Sequence, residues 1–461
     1  MESNKSLQRV ALIAAIISGF ITPFMVSSTN IVLPAMARDF ELNAVETGWV
    51  VTSYILSSAI FLVPFGRLSD IVGRKKIFTI GIFLFSIFTL AIASIPTNSS
   101  ILLTLRFLQG MGSAMIFGTG MTIIISVFPP EERGKVLGIN VSSVYLGLAI
   151  GPFAGGILSQ HFTWRSIFFI TAILSFMLTV FVFSKLKGEW ADAKGEDFDF
   201  IGSILYGISL LALMRGFSMI PTLFGFFLIV TGIILFVAFA LYELRQTHPV
   251  LNFKIFRDNL TYSLATTSAL INYSATFGVS FLLSLYLQTV KAMSPLQAGT
   301  IMLIQPIFQT ILSPFTGRLA DKREPQSIAS FGMALTAFGL FLFIFLNRDT
   351  SIAFIIATLA LLGTGFAFFS SPNTTAAMNS VEKKYYGVAS SFLGTMRLLG
   401  QMFSMAIAMT VFSLIMHQKK ISPEYSDLFL KSSKTIFIIF AILCFFGVFL
   451  KTGKYKNNAK K

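Results

Sequence analysis

In the stretch "GRLSDIVGRKK", residues 66 to 76, the cations Arg67, Arg74, Lys75 and Lys76 crowd a single acid, Asp70. A carboxylate four residues ahead of an arginine can pair with it on one helix face, and a helix N-terminus favours an anion. Ion pairs of this kind form in one conformation and break in another, which is the chemistry of a latch. Gly66 and Gly73 bracket the acid, and the pattern nearly repeats at residues 317 to 323 as "GRLADKR", with Gly317, Arg318 and Asp321. Two more arginines, Arg106 and Arg397, stand inside apolar runs, where burying a cation costs at least ~2.5 kcal/mol. Each must face a cavity or a partner; the alternatives are a part in transport and a structural cation bonded to backbone carbonyls. Enzyme chemistry finds little material. The three histidines, His161, His248 and His417, are far apart, with no metal-ligand spacing and no nucleophile motif, so no metal or cofactor is expected. No phosphate-binding "GxxxxGKS" loop is present, leaving an ion gradient or the substrate's own gradient as the energy source.

The elements that must position these residues are membrane helices. With 54% hydrophobic residues, 12% charged and 51 Phe in 461 residues, the chain has too little polar surface to coat a water-soluble domain. Asking for about 20 mostly apolar residues per span yields fourteen candidate helices, from 10–34 to 433–451. None shows the alternation of barrel strands, so the expected class is an all-α membrane protein. The first run is too long for a signal-peptide core and reads as a retained span. Cys444, the single cysteine, offers no disulfide. The net charge of +15 is explained without nucleic acid: most Lys and Arg fall in alternate loops, a bias that places both termini in the cytoplasm.

The repeated "GRL" with its Asp recurs at the same point of two six-helix blocks, which implies two pseudo-symmetric bundles. The expected domains are residues 1–187, a linker with two extra helices at 188–257, and a second bundle at 258–461. In helix 5, Gly147, Gly151 and Gly155 form a smooth strip at spacing four, and Pro152 favours a bend. That strip is either a pivot or seal, or ordinary small-residue packing.

In these motifs the chain resembles the major facilitator superfamily, in particular its fourteen-helix drug:proton antiporter family of the multidrug efflux type. "GRLSDIVGRKK" matches the superfamily's loop signature. "RFLQGMG", with Arg106, Gln109 and Gly110, matches a second motif, and "GINVSSVYLGLAIGPFAGG" matches the antiporter motif through Gly138, Gly147, Gly151, Pro152, Gly155 and Gly156. "YLQTVKAMSPLQAG" and "GVASSFLGTMRLLG" are similar to the family's second half. The resemblance implies a cytoplasmic latch at residues 66–76 and a carrier that rocks two bundles around a midplane site. The family often has an Asp in helix 1, where Met25 stands here, and no acid falls in an expected helix core. A coupled proton would then use a gate acid such as Asp70 or Glu46, or the substrate itself.

An apolar pocket with a few polar groups suits a loose amphiphile site. Candidate wall residues are Arg397, Asn30, Trp49, Tyr54, Tyr145, Asn272, Tyr273, Gln305, Gln309 and Gln401. With arginines and no acid, such a cavity disfavours strongly cationic compounds. The expected protein is therefore a monomeric secondary transporter of the cell membrane, exchanging hydrophobic or amphiphilic compounds for protons. The alternatives are an uncoupled or differently coupled carrier of one neutral or anionic metabolite, and a transport-dead membrane sensor.

Overall fold

The computed structural model describes residues 2–247, 249–251, 253–382 and 386–450. Among them, fourteen helices are long and apolar enough to cross a membrane, and no strand occurs. The first six are α1 (Glu2–Asp39), α2 (Ala44–Val72), α3 (Arg74–Ser94), α4 (Ser99–Val127), α5 (Pro130–His161) and α6 (Arg165–Lys185). The inserted hairpin is α7 (Phe200–Ser218) and α8 (Leu223–Glu243). A short α9 (Phe253–Asp258) leads to α10 (Leu260–Leu285), which ends in a π-helical turn at Tyr286–Val290. Then come α11 (Pro295–Met302), α12 (Ile304–Lys322), α13 (Pro325–Phe343), α14 (Ile352–Asn379), α15 (Tyr386–Ile415) and α16 (Ser426–Val448).

Local signals set many of the helix starts. Asn43 and Glu46 form a capping box on α2, Ser294 and Gln297 form another on α11, and Asn98, Thr222 and Ser351 cap α4, α8 and α14. The tenth expected span is broken at Leu303 into α11 and α12. Large apolar side chains point outward along α6 and α8, such as Phe183 at 76% and Leu223 at 89% exposure, which is the pattern of helices whose solvent is lipid.

Two compact units result. One comprises Met1–Leu251, Ser280–Leu303 and Met405–Ser432; the other comprises Asn252–Val279, Ile304–Ser404 and Ser433–Lys461. In the first, α1 packs on α4, α5 and α6, α4 packs on α2 and α3, α7 packs on α2 and α8, and α11 lies on α5. In the second, α14 packs on α12 and α13. The division differs from a cut at residue 258, since Ser280–Leu303 and Met405–Ser432 group with the first unit.

Candidate gating and transport site

The stretch 66–76 is expected to be a loop, but the structure makes it almost wholly helical. α2 continues to Val72, and only Gly73, at φ 127°, separates it from α3. Charged residues can prolong a helix past the hydrocarbon, and at about 1.5 Å per residue these 29 residues exceed a ~30 Å core. Gly73 is required at this break, since its backbone lies where side chains are strained and a Cβ would strike Glu189.

Around this break the linker before α7 wraps back. Arg74 Nε donates to Asp70 Oδ1 at 2.9 Å, its NH2 group lies 2.7 Å from Asp192 Oδ2, and its NH1 group donates to Ser126 at 2.6 Å. Arg67 pairs with Glu196. The backbone joins in, with Arg74 N–H donating to Trp190 O and Ala193 N–H to Asp70 O, both at 2.9 Å. The anion at the N-terminus of α3, a place expected for Asp70, is Glu189, which accepts from Lys75 N–H at 2.8 Å and Lys76 N–H at 3.2 Å. Glu189, Asp192 and Glu196 were not among the residues singled out from the sequence. Four acids within "GEWADAKGED", facing a stretch with four cations, were the available signal. In the second unit Arg318 and Asp321 are exposed on α12 and make no ion pair among the described residues.

Arg106 is enclosed among its neighbours. It is 1% exposed, and its Nε donates to Val50 O at 3.0 Å while NH1 donates to Gln109 Oε1 at 2.5 Å. Gln109 Nε2 donates in turn to Thr89 Oγ1 at 2.7 Å, and the guanidinium sits 4.7 Å over the Tyr54 ring. Tyr54 is expected on a cavity wall; instead it is 3% exposed, with its hydroxyl bonded to Ser113 at 2.6 Å. Gly110 lets α4 approach the Tyr54 backbone of α2. The network ties α2, α3 and α4 together, and the buried cation is satisfied by a carbonyl, an amide and a ring rather than by a cavity.

The helix-5 strip meets two elements. A Cβ on Gly147 or Gly151 would strike Phe20, Phe24 or Ser27 of α1, while Gly155 faces Ser28. Ser27 and Ser28 donate to Gly147 O and Gly151 O at 3.3 and 3.0 Å. Gly156 faces Pro295, and Pro152 O lies against Gly299 of α11. Gly138 has nothing within 4 Å of its Cβ position, and Gly66 likewise.

At the same end of the first unit, Ser284 Oγ donates to Asn30 O at 2.5 Å and Gln288 Nε2 to Ile31 O at 2.9 Å. Ala44 N–H donates to Lys419 O at 3.0 Å, and Lys420 pairs with Glu41 at 3.2 Å. This end of the unit, away from residues 66–76, is thus closed by Ser280–Leu303 and Met405–Ser432. Asn30 itself is 3% exposed with Oδ1 lacking a partner, Trp49 Nε1 also lacks one, and Tyr145 is half-buried.

In the second unit Arg397 is half-buried on α15. One guanidinium nitrogen donates to Thr374 Oγ1 at 2.6 Å, the Tyr273 ring is 5.9 Å away, and Nε has no partner. Asn272, fully buried on α10, leaves both amide atoms unbonded. Gln309 is 6% exposed, whereas Gln305 is half-buried with its carbonyl against Gly363. Unlike Arg106, Arg397 retains donor capacity.

Comparison with known proteins agrees with this architecture. The sequence model described as Major Facilitator Superfamily matches residues 15–405 and 265–459. The chain is 29% identical to the riboflavin transporter RibZ of Clostridioides difficile (strain 630), over 96% of each chain. It is 28% identical to the multidrug resistance protein Stp of Mycobacterium tuberculosis (strain CDC 1551 / Oshkosh), over 82% of this chain and 71% of that one. It is 25% identical to the lincomycin resistance protein LmrB of Listeria innocua, over 89% and 88%. Among solved structures, a mutant of the peptide transporter POT in complex with alafosfalin superposes with a TM-score of 0.71 at 14% identity, covering 95% of this chain and 93% of that one. The match in sequence runs through both six-helix blocks and the fold agrees with it: the chain belongs to the Major Facilitator Superfamily.

Proposed function

We propose that this member of the superfamily, a secondary transporter, exports hydrophobic or amphiphilic compounds in exchange for protons. It does so by alternating access, as a monomer in the cell membrane with both termini in the cytoplasm. The observation that carries this reading is the helix-5 motif: its glycines seat α5 directly on α1 and α11, at the closed end of the first unit, where opening and closing must occur. Relatives named for multidrug and lincomycin resistance support efflux. A second reading, a carrier of one neutral or anionic metabolite, is favoured by Arg397, whose Nε is unpartnered, and by the relative named as a riboflavin transporter.

The two readings separate in proteoliposomes under an imposed proton gradient. Antiport of amphiphiles predicts internal pH changes when neutral or anionic amphiphiles are added, and none with a permanent dication. Protein-dependent flux of a labelled metabolite without proton movement would support the second reading instead.

A further inference from the structure

The linker that wraps residues 66–76 ends at Asp199, the N-cap of α7. Asp199 Oδ1 accepts from Gly202 N–H at 2.8 Å and from the Tyr242 hydroxyl at 3.4 Å. On the last turn of α8, Glu243 is 2% exposed, and its Oε2 accepts from Leu251 N–H at 2.9 Å. This leaves one oxygen on each carboxyl, Asp199 Oδ2 and Glu243 Oε1, both buried and neither with a partner. The two groups lie within hydrogen-bonding reach of each other, and a Cβ on Gly202 would strike both oxygens.

An ionised carboxylate can only accept, so two of them face to face satisfy neither oxygen and repel in a place poor in water. Adding one proton turns the contact into a strong, charge-assisted O–H···O bond and removes one of the two negative charges. A metal cation fits less well. It would need several more oxygen ligands, and the space beside Gly202 does not admit even a methyl group. Among the described residues, the other titratable group facing the pair is the Tyr242 phenol, and no Lys, Arg or His forms an ion pair with either acid.

We propose that Asp199 and Glu243 form a proton-binding site, one proton held between Asp199 Oδ2 and Glu243 Oε1, which fastens the start of α7 to the end of α8. The inference goes beyond the transport reading, since the site belongs to the inserted hairpin and not to either six-helix block. The hairpin thereby secures the linker, which is anchored upstream by its ion pairs to Arg67 and Arg74 and downstream by this proton. Loss of the proton leaves two adjacent anions and frees the downstream anchor.

The test is infrared difference spectroscopy of the full-length protein in lipid nanodiscs at pH 7, with E243Q and D199N. In each variant the new amide can donate to the remaining carboxylate, so the fold is kept while the proton is no longer needed. The expected result is a carbonyl band of a protonated carboxylic acid in the wild type, shifted in D2O, fading as pH rises, and lost in both variants. Absence of the band from the wild type, survival of the band in either variant, or its removal by sodium at constant pH would each overturn the proposal. No substrate or transport measurement enters, so failure here leaves the exporter reading untouched, and the reverse holds as well.

Discussion

At the scale of the residue, the two membrane arginines have opposite surroundings and should respond differently to truncation. Arg106→Ala removes the donor to Val50 O and Gln109 and leaves buried acceptors unpaired, at a cost of about 1–3 kcal/mol. The expected outcome is a lower unfolding temperature in detergent and poor recovery of folded protein. Arg397→Ala loses one bond to Thr374 from a half-buried group, so thermal stability should hold. If the free donor capacity of Arg397 serves the substrate, that variant should weaken transport by about ten- to a hundredfold, the worth of a charge-assisted hydrogen bond. Parallel thermal scans and flux assays on the two variants check this; equal loss of stability in both would place Arg397 in the same class as Arg106. Type and burial of the arginines were legible in the sequence, because a cation inside an apolar run stands out. Their partners on other helices were not, since Val50 and Thr374 carry no distinguishing mark of their own.

At the scale of the element, α5 carries glycines that are chemically identical but differently placed. A Cβ at Gly156 would come within 2.6 Å of Pro295 O on α11, whereas Gly138 has open space around its Cβ position. Gly156→Val should therefore hold α5 and α11 apart and suppress transport, with folded protein still recovered. Gly138→Ala should be tolerated, costing nothing in packing and gaining up to about 1 kcal/mol of helix propensity. Uptake or efflux rates normalised to folded protein decide; a severe defect in Gly138→Ala would mean that it packs tightly in another conformation. The periodicity of the strip was readable from spacing alone, since four residues return to one helix face. Which helix it would meet was not.

At the scale of the whole molecule, the proposed alternating-access cycle predicts that the closed end of the first unit opens at each turnover. Glu41 and Lys420 meet there at 3.2 Å, beside the backbone contact of Ala44 with Lys419. The double variant E41C/K420C should form a disulfide on mild oxidation that stops transport, and reduction should restore it. The pair is exposed, so losing the ion pair itself should cost little. Transport that continues at full rate with the crosslink formed would show that this end does not separate during turnover.

The membrane class, the fourteen spans, the duplicated motif and the family resemblance were determined by the sequence itself. Hydrophobic length, charge bias and residue spacing are local properties, and in lipid the backbone has almost no alternative to a helix. The tertiary structure decided which charges meet. It carried α2 through the expected loop to Gly73, brought the acids of the linker to Arg67 and Arg74, enclosed Arg106 within its own bundle, and set Asp199 against Glu243. The physical reason is distance along the chain. An ion pair across 129 residues, or a carboxyl pair across 44, depends on how helices pack, and no spacing rule in the sequence records that.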